Sequence, residues 1–109
     1  MEISNLTKER IKDYLEEGKR FDGRKLLDSR EITAEINVSK NAEGSCRLKL
    51  GDTEVIAGVK IDTAEPYTDH EEEGTMATIT ELLPLSSPDF EPGPPSIAAV
   101  EIARVVDRG

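Results

Sequence analysis

The chain has 109 residues, of which 36% are hydrophobic, and it carries 14 Lys or Arg against 23 Asp or Glu for a formal charge of -9. That is room for one small domain, able to bury about two-thirds of its surface, and the acidity excludes a chain that coats nucleic acid with its whole surface. Any polyanion contact must be local, and the single cysteine, Cys46, excludes an internal disulfide and favours a reducing setting, most simply cytoplasmic.

At the N-terminal end there is no basic-then-apolar signal segment, and no apolar run anywhere approaches the roughly 20 residues of a membrane span. Leu6-Thr7 reads as a helix start, with Thr7 as the cap and Leu6 able to staple onto Ile11. Ile11, Tyr14 and Leu15 continue a narrow apolar stripe, and Gly18 is placed to stop it. A helix this short does not stand alone in water, so its stripe is expected to lie on the rest of the domain or on a neighbour. Residues 19–30 are polar, charged and broken by Asp22-Gly23, which predicts an extended connection with one tight turn.

Strands follow. Ile32, Ala34, Ile36 and Val38 alternate with polar residues, as do Cys46, Leu48 and Leu50 with Arg47 and Lys49 between them. Turns at residues 41–44 and at Gly51-Asp52 make this the start of a three-stranded antiparallel meander. Residues 53–61 are apolar or small on both faces, the mark of a central strand covered on two sides. A long loop over 62–74 leads to a fourth predicted strand over 75–83, and loops of that length in small domains are often functional or disordered. Residues 84–95 are rich in proline, serine and glycine and deliver the chain to Ser96, which is placed to cap a final helix. Ile97, Val100, Ile102, Ala103, Val105 and Val106 make that helix apolar, and nothing after Gly109 can cover it. The chain is therefore expected to be the front part of something larger.

Complete chemistry is absent. His70 stands among Asp69, Glu71, Glu72 and Glu73, but adjacent side chains do not converge on one ion and no second His or Cys has ligand spacing to it. A solvated acidic loop is the expected state, and no metal is expected. Cys46 shares its face with Leu48 and Leu50 and has no basic neighbour to make it a thiolate, so it reads as a small core residue. There is no glycine-rich phosphate loop, and no serine stands in a nucleophile elbow. Arg104 and Arg108 are more pointed, one turn apart on a stripe with Ile97 and Glu101. Like charges at that spacing cost a few tenths of a kcal/mol, a cost an anionic partner would remove. Equally, Glu101 and Asp107 could neutralise the pair and leave an ordinary wet face.

Several ordered motifs carry a resemblance: Asp22-Gly23-Arg24, Glu43-Gly44-Ser45, Leu50-Gly51-Asp52-Thr53 with Val55-Ile56-Ala57-Gly58-Val59, and Glu101-Ile102-Ala103-Arg104. From about Arg20 onward the chain resembles the first half of the ribonuclease PH family. Phe90-Glu91-Pro92-Gly93-Pro94-Pro95 ahead of Val105-Val106-Asp107-Arg108-Gly109 is similar to the larger, non-catalytic ring subunit of the archaeal exosome. The resemblance implies an α+β fold of the ribosomal protein S5 domain 2 type, with an antiparallel sheet packed against helices. Residues 1–20 would be an N-terminal helical extension and 21–109 the first half of the family domain. It further implies a hexameric ring shared with a catalytic ribonuclease PH-like subunit, RNA-binding cap subunits above it, and single-stranded RNA degraded phosphorolytically from its 3′ end. Arg104 and Arg108 inherit an RNA-backbone grip, which gives affinity without sequence preference.

Departures from the family pattern point to support rather than catalysis. Where the catalytic partner has paired arginines for the attacking phosphate, this chain has Ser96-Ile97-Ala98-Ala99. Where the partner's loop carries RNA-binding arginines, residues 66–73 here are acidic. The expected function is a non-catalytic ring subunit that binds RNA and positions its active neighbour, with no catalytic residue and no cofactor of its own. The alternatives are an active phosphate-dependent exoribonuclease of the same family and a plain assembly module.

Overall fold

The computed structural model describes residues 3–109. The first two residues of the expected extension 1–20 lie outside the described residues. In chain order the elements are α1 (Asn5–Glu16), β1 (Ile32–Ile36), β2 (Gly44–Leu50), β3 (Thr53–Val59) and α2 (Ile97–Arg108), an α+β set as expected. They fall into two compact units, one ending at residue 64 and the other running from 65 to 109.

In the first unit, α1 begins earlier than the sequence predicts. Ser4, not Thr7, is the cap: its Oγ accepts the Thr7 amide at 3.3 Å, and its carbonyl accepts from Lys8 at 3.0 Å. Thr7 satisfies its own hydroxyl on Ser4 Oγ, 2.7 Å away, and so joins the first turn. With the cap moved, the staple positions become Ile3 and Lys8, and the Leu6–Ile11 staple is not the one formed. The stop at Gly18 is as expected. Gly18 takes φ +74°, its amide donates to Leu15 O at 3.0 Å, and Lys19 donates to Tyr14 O at 2.9 Å, which together close the helix with a left-handed glycine.

The connection after α1 turns at Asp22-Gly23, where Gly23 adopts φ +85°. It is held more firmly than a bare linker. Arg20 Nη2 donates to Leu26 O at 2.7 Å and Nη1 to Asp28 O at 3.3 Å, while Arg24 Nη1 donates to the same Asp28 carbonyl at 3.1 Å. Arg24 Nε also donates to Asp22 Oδ2 at 2.6 Å, and that hydrogen bond holds the Asp22 carboxyl below its ordinary range. Tyr14 of α1 meets Phe21 edge to face, with ring centroids 5.8 Å apart.

The three strands form the expected meander, ordered β1-β2-β3 and antiparallel throughout. Ala34, Leu48 and Val55 stand abreast on one face, as do Ile36, Cys46 and Ala57. On the other face Arg47 lies between Glu35 and Glu54: its Nη1 is 3.4 Å from Glu35 Oε2, and its Nε is 3.1 Å from Glu54 Oε1 but off the N–H direction. β1 ends at Ile36 rather than at Val38 because Asn37 takes φ +60° and leaves the strand.

The expectation for residues 53–61 is corrected. β3 is an edge strand exposed along its length, and β2 is central. Apolar residues on both faces require covering layers, and among the described residues this unit has one sheet, with α1 near none of its strands. Cys46 is accordingly half-buried rather than part of a core.

In the second unit, residues 75–83 form no strand, which also corrects the expectation. The β-branched residues Thr75, Thr78, Ile79 and Thr80 favour a strand only when a neighbour supplies the hydrogen-bonding ladder, and they have none among the described residues. The loop before them folds into two small turns, with His70 N donating to Tyr67 O and Glu73 N to His70 O. α2 is capped as expected: Ser96 Oγ accepts the Ala99 amide at 3.2 Å. The only buried apolar residues among those described are Ala99 and Ala103, one turn apart on this helix. Ile97, Val100, Ile102, Val105 and Val106 are all exposed.

Candidate nucleic-acid interface

Ala99, Ala103 and Asp107 recur every fourth residue, so they form one line along α2. The two alanines are small enough for residues 78–80 to approach the helix. An open groove of about 390 Å³ results, walled by Thr78, Ile79, Thr80 and Pro95 on one side and by Ala99, Val100 and Ala103 on the other, with Arg104 and Asp107 toward the C-terminal end of α2. Most of this lining is apolar. Its charged groups are one guanidinium and one carboxylate.

Arg104 and Arg108 are both exposed. Four residues of helix separate them, about 6 Å along the axis, and both fall in the last two turns, where the helix carbonyls favour positive charge. The sequence left open whether Glu101 and Asp107 neutralise the pair. Among the described residues neither acid forms an ion pair with Arg104. Arg108 Nε lies 3.9 Å from Asp107 Oδ2, but its side chain is 86% exposed. An exposed pair at that distance contributes about 0–1 kcal/mol and leaves the guanidinium open to a second anion. Arg104 lines the groove and Arg108 stands beyond it. The sequence offers Asp107 only as a neutralising partner for the arginines and residues 78–80 only as part of a predicted strand; the four-residue recurrence of Ala99, Ala103 and Asp107 is the readable signal for the groove.

The start of α2 has different chemistry. Ile97 is 81% exposed and, with Ala98, presents hydrocarbon where an anion site would need cations or free amides. The Ala99 amide, which a helix N-terminus might offer to a phosphate, is already taken by Ser96 Oγ.

Away from α2 two polar groupings bear on the chemistry. Around His70, Nδ1 lies 3.4 Å from Glu73 Oε2 and Nε2 lies 3.7 Å from Asp69 Oδ2, all on exposed side chains. Among the described residues there is no group of three His, Cys, Asp or Glu arranged to hold a metal. The second grouping fixes the exit of β3: Glu43 Oε2 accepts the Ile61 amide at 2.9 Å, and Lys60 Nζ donates to Asn41 O at 2.8 Å and lies 3.4 Å from Glu43 Oε1. The Ile61 amide, and after it the Lys60 ammonium, lower the Glu43 pKa. Among the described residues no helix is long and apolar enough to cross a membrane.

A protein named exosome complex component Rrp42 from Thermococcus onnurineus is 51% identical over 107 residues, covering 98% of this chain and 39% of that protein. The protein of the same name from Sulfurisphaera tokodaii is 52% identical over 105 residues, covering 96% of this chain and 38% of its own. This chain thus spans about two-fifths of the length of the curated relatives it matches. Among solved structures, the Archaeoglobus fulgidus exosome with RNA bound to the active site contains a chain that superimposes with a TM-score of 0.87 at 43% identity, over 95% of this chain and 41% of that one. A chain of an archaeal exosome core gives 0.75 at 35% identity, over 95% and 38% respectively. Residues 28–109 match the model of the 3′ exoribonuclease family, domain 1, so the chain belongs to that family, the ribonuclease PH group its motifs resemble.

Proposed function

We propose that this chain belongs to a non-catalytic ring subunit of an archaeal exosome, cytoplasmic in location, which binds single-stranded RNA and positions a catalytic ribonuclease PH-like neighbour for 3′-to-5′ degradation. In this reading residues 1–20 are a helical extension and 21–109 the first half of the family domain. The subunit alternates with its catalytic partner in a hexameric ring that also carries RNA-binding cap subunits. Arg104 and Arg108 grip the RNA backbone.

The observation that carries the reading is the contrast between the two ends of α2. Its last turns expose two arginines with at most one weak internal pairing, which suits a backbone grip without sequence preference. Its first turn offers aliphatic side chains and an amide already bonded, which does not suit a bound phosphate nucleophile. The names of the relatives and the RNA-bound exosome among the similar structures favour the same assignment. The test is RNA shortening in the presence of inorganic phosphate by the full-length subunit, alone and combined with the catalytic subunit. Activity only in the combination is expected. Activity of the subunit alone would replace this reading with that of an active phosphorolytic exoribonuclease.

A further inference from the structure

We propose that Asp22-Gly23 is the place at which this chain is open to spontaneous isoaspartate formation, and that Arg24 is the residue that slows it; the assignment holds whether or not the chain is a ring subunit.

Asp22-Gly23 is the one Asp-Gly pair in the sequence, which has no Asn-Gly. The reaction is an isomerisation that needs only water. The Gly23 amide nitrogen, once it has lost its proton, attacks Cγ of Asp22; the N–Cγ bond forms and a carboxyl oxygen leaves as water, closing a succinimide. Water then reopens the ring. Cleavage between Cγ and nitrogen restores aspartate, whereas cleavage between the Asp22 main-chain carbonyl carbon and nitrogen leaves the backbone running through Cγ, longer by a methylene. Glycine suits the first step, because it has no side chain to hinder its own nitrogen. The space around Gly23 is also open, with nothing beyond its chain neighbours within 4 Å of where a Cβ would stand.

Both reacting groups are nevertheless held away from that step. Asp22 Oδ2 accepts from Arg24 Nε at 2.6 Å and Oδ1 accepts from the Arg24 amide at 3.3 Å, so both oxygens are turned past the glycine to the residue beyond it. A carboxylate is a poorer electrophile than its acid, since the departing oxygen must be protonated. The hydrogen bond from the Arg24 side chain keeps Asp22 ionised to lower pH than an ordinary aspartate. The Gly23 N–H meanwhile donates to Arg20 O at 3.0 Å, which aims it at a carbonyl and not at Cγ. Arg24 is itself anchored, with Nη1 donating to Asp28 O at 3.1 Å.

Asp62 shows the opposite arrangement. There the amide of the following residue, Thr63, donates to Asp62 Oδ1 at 2.8 Å, so carboxylate and nitrogen already meet. What hinders ring closure at that position is the branched side chain of Thr63. Asp22 is followed by no such side chain, and its protection is the contact with Arg24. An added methylene at position 22 would undo the pairing of Lys19 with Lys25 and the 3.0 Å bond from the Arg20 amide to Arg24 O, which together close this turn.

The test follows isoaspartate at position 22 in the full-length subunit, incubated at neutral pH either folded, below its unfolding midpoint, or unfolded in urea. After proteolysis the peptide carrying position 22 is separated from its isoaspartyl form by chromatography, and electron-transfer fragmentation locates the added methylene. The folded subunit should form isoaspartate there more slowly than the unfolded one. Arg24→Gln, kept folded, should form it about fivefold faster than the unsubstituted subunit, the weight of one exposed charge-assisted contact. Carboxyl-carbon NMR should show the Asp22 pKa rising in the same variant, while Asp62-Thr63 in the same digest stays as it was. An unchanged rate at position 22 in Arg24→Gln overturns the proposal. So does an equal acceleration at Asp62, which would trace the effect to general unfolding, or isoaspartate arising first at another aspartate of residues 1–109. Equal rates in the folded and unfolded unsubstituted subunit overturn it too, and that comparison requires no variant to fold.

Discussion

Replacing Arg104 and Arg108 together with alanine in the full-length subunit, within the reconstituted ring, should change RNA binding in a way that salt reveals. Both side chains are exposed, and only Arg108 has a carboxylate near it, at 3.9 Å. If each guanidinium neutralises one phosphate of a single strand, the pair contributes about -1.4 to the slope of log affinity against log salt, at roughly -0.7 per phosphate. Over a fourfold rise from about 50 to 200 mM salt that amounts to about a sevenfold fall in affinity which the doubly substituted ring would no longer show. Fluorescence anisotropy with a short labelled RNA across that range reads both quantities. Affinity should drop most at low salt, and the slope should become shallower by about 1.4. Unchanged affinity and slope would refute the grip and leave these arginines as a solvated face in a subunit that acts by assembly alone.

Other perturbations test the local accounts. Ser96→Ala in the full-length subunit removes the acceptor of the Ala99 amide and should cost about 1 kcal/mol in urea unfolding; no loss would mean that the cap is dispensable. Gly51→Ala places a Cβ 3.0 Å from Arg30 Cδ at φ +60°, so a strain of about 1–2 kcal/mol is expected in the same assay. Arg30 Nη1, 3.2 Å from Thr53 Oγ1, would have to move, and an unchanged midpoint would contradict this geometry. Glu43 has a pKa lowered chiefly by the Ile61 amide, so its contribution is complete above about pH 5 and fades as the pH falls through the lowered value. The protection factor of the Ile61 amide, its exchange measured against the intrinsic rate at each pH, should fall selectively on acidification, and Glu43→Gln should blunt that dependence; a protection factor that does not vary with pH would remove Glu43 as the clamp.

The parts of the fold legible in the sequence were those decided within a few residues. Gly18 and Gly23 adopt the left-handed conformations that their turns require, Ser96 caps α2, and Gly51-Asp52 joins β2 to β3. Each depends on φ preference or on one side chain reaching its own backbone. Thr7 competes with Ser4 for the cap because two hydroxyl residues stand three apart, and the Ser4–Thr7 hydroxyl contact resolves the competition toward the longer helix. Where a neighbouring layer decides, local pattern failed. Residues 75–83 have a strand's composition without a ladder partner, and β3 has a central strand's composition at a sheet edge. The same division holds at the site. The helical stripe of Arg104 and Arg108 follows from spacing alone, but their freedom from Glu101 does not, and the approach of residues 78–80 to Ala99 and Ala103 depends on a contact twenty residues away along the chain. Glu43 and Arg20 stand in or beside motifs the sequence shows, but their clamping roles are not legible there, because each has backbone partners that only the fold brings near.

Phosphorolysis measures the central claim most directly. With a 5′-labelled single-stranded RNA and inorganic phosphate, the full-length subunit alone should leave the RNA intact. The same preparation combined with the catalytic subunit should shorten it from the 3′ end and release nucleoside diphosphates. Shortening by the subunit alone, abolished when phosphate is withheld, would contradict the account, because the first turn of α2 would then have to serve a phosphate with the aliphatic side chains of Ile97 and Ala98.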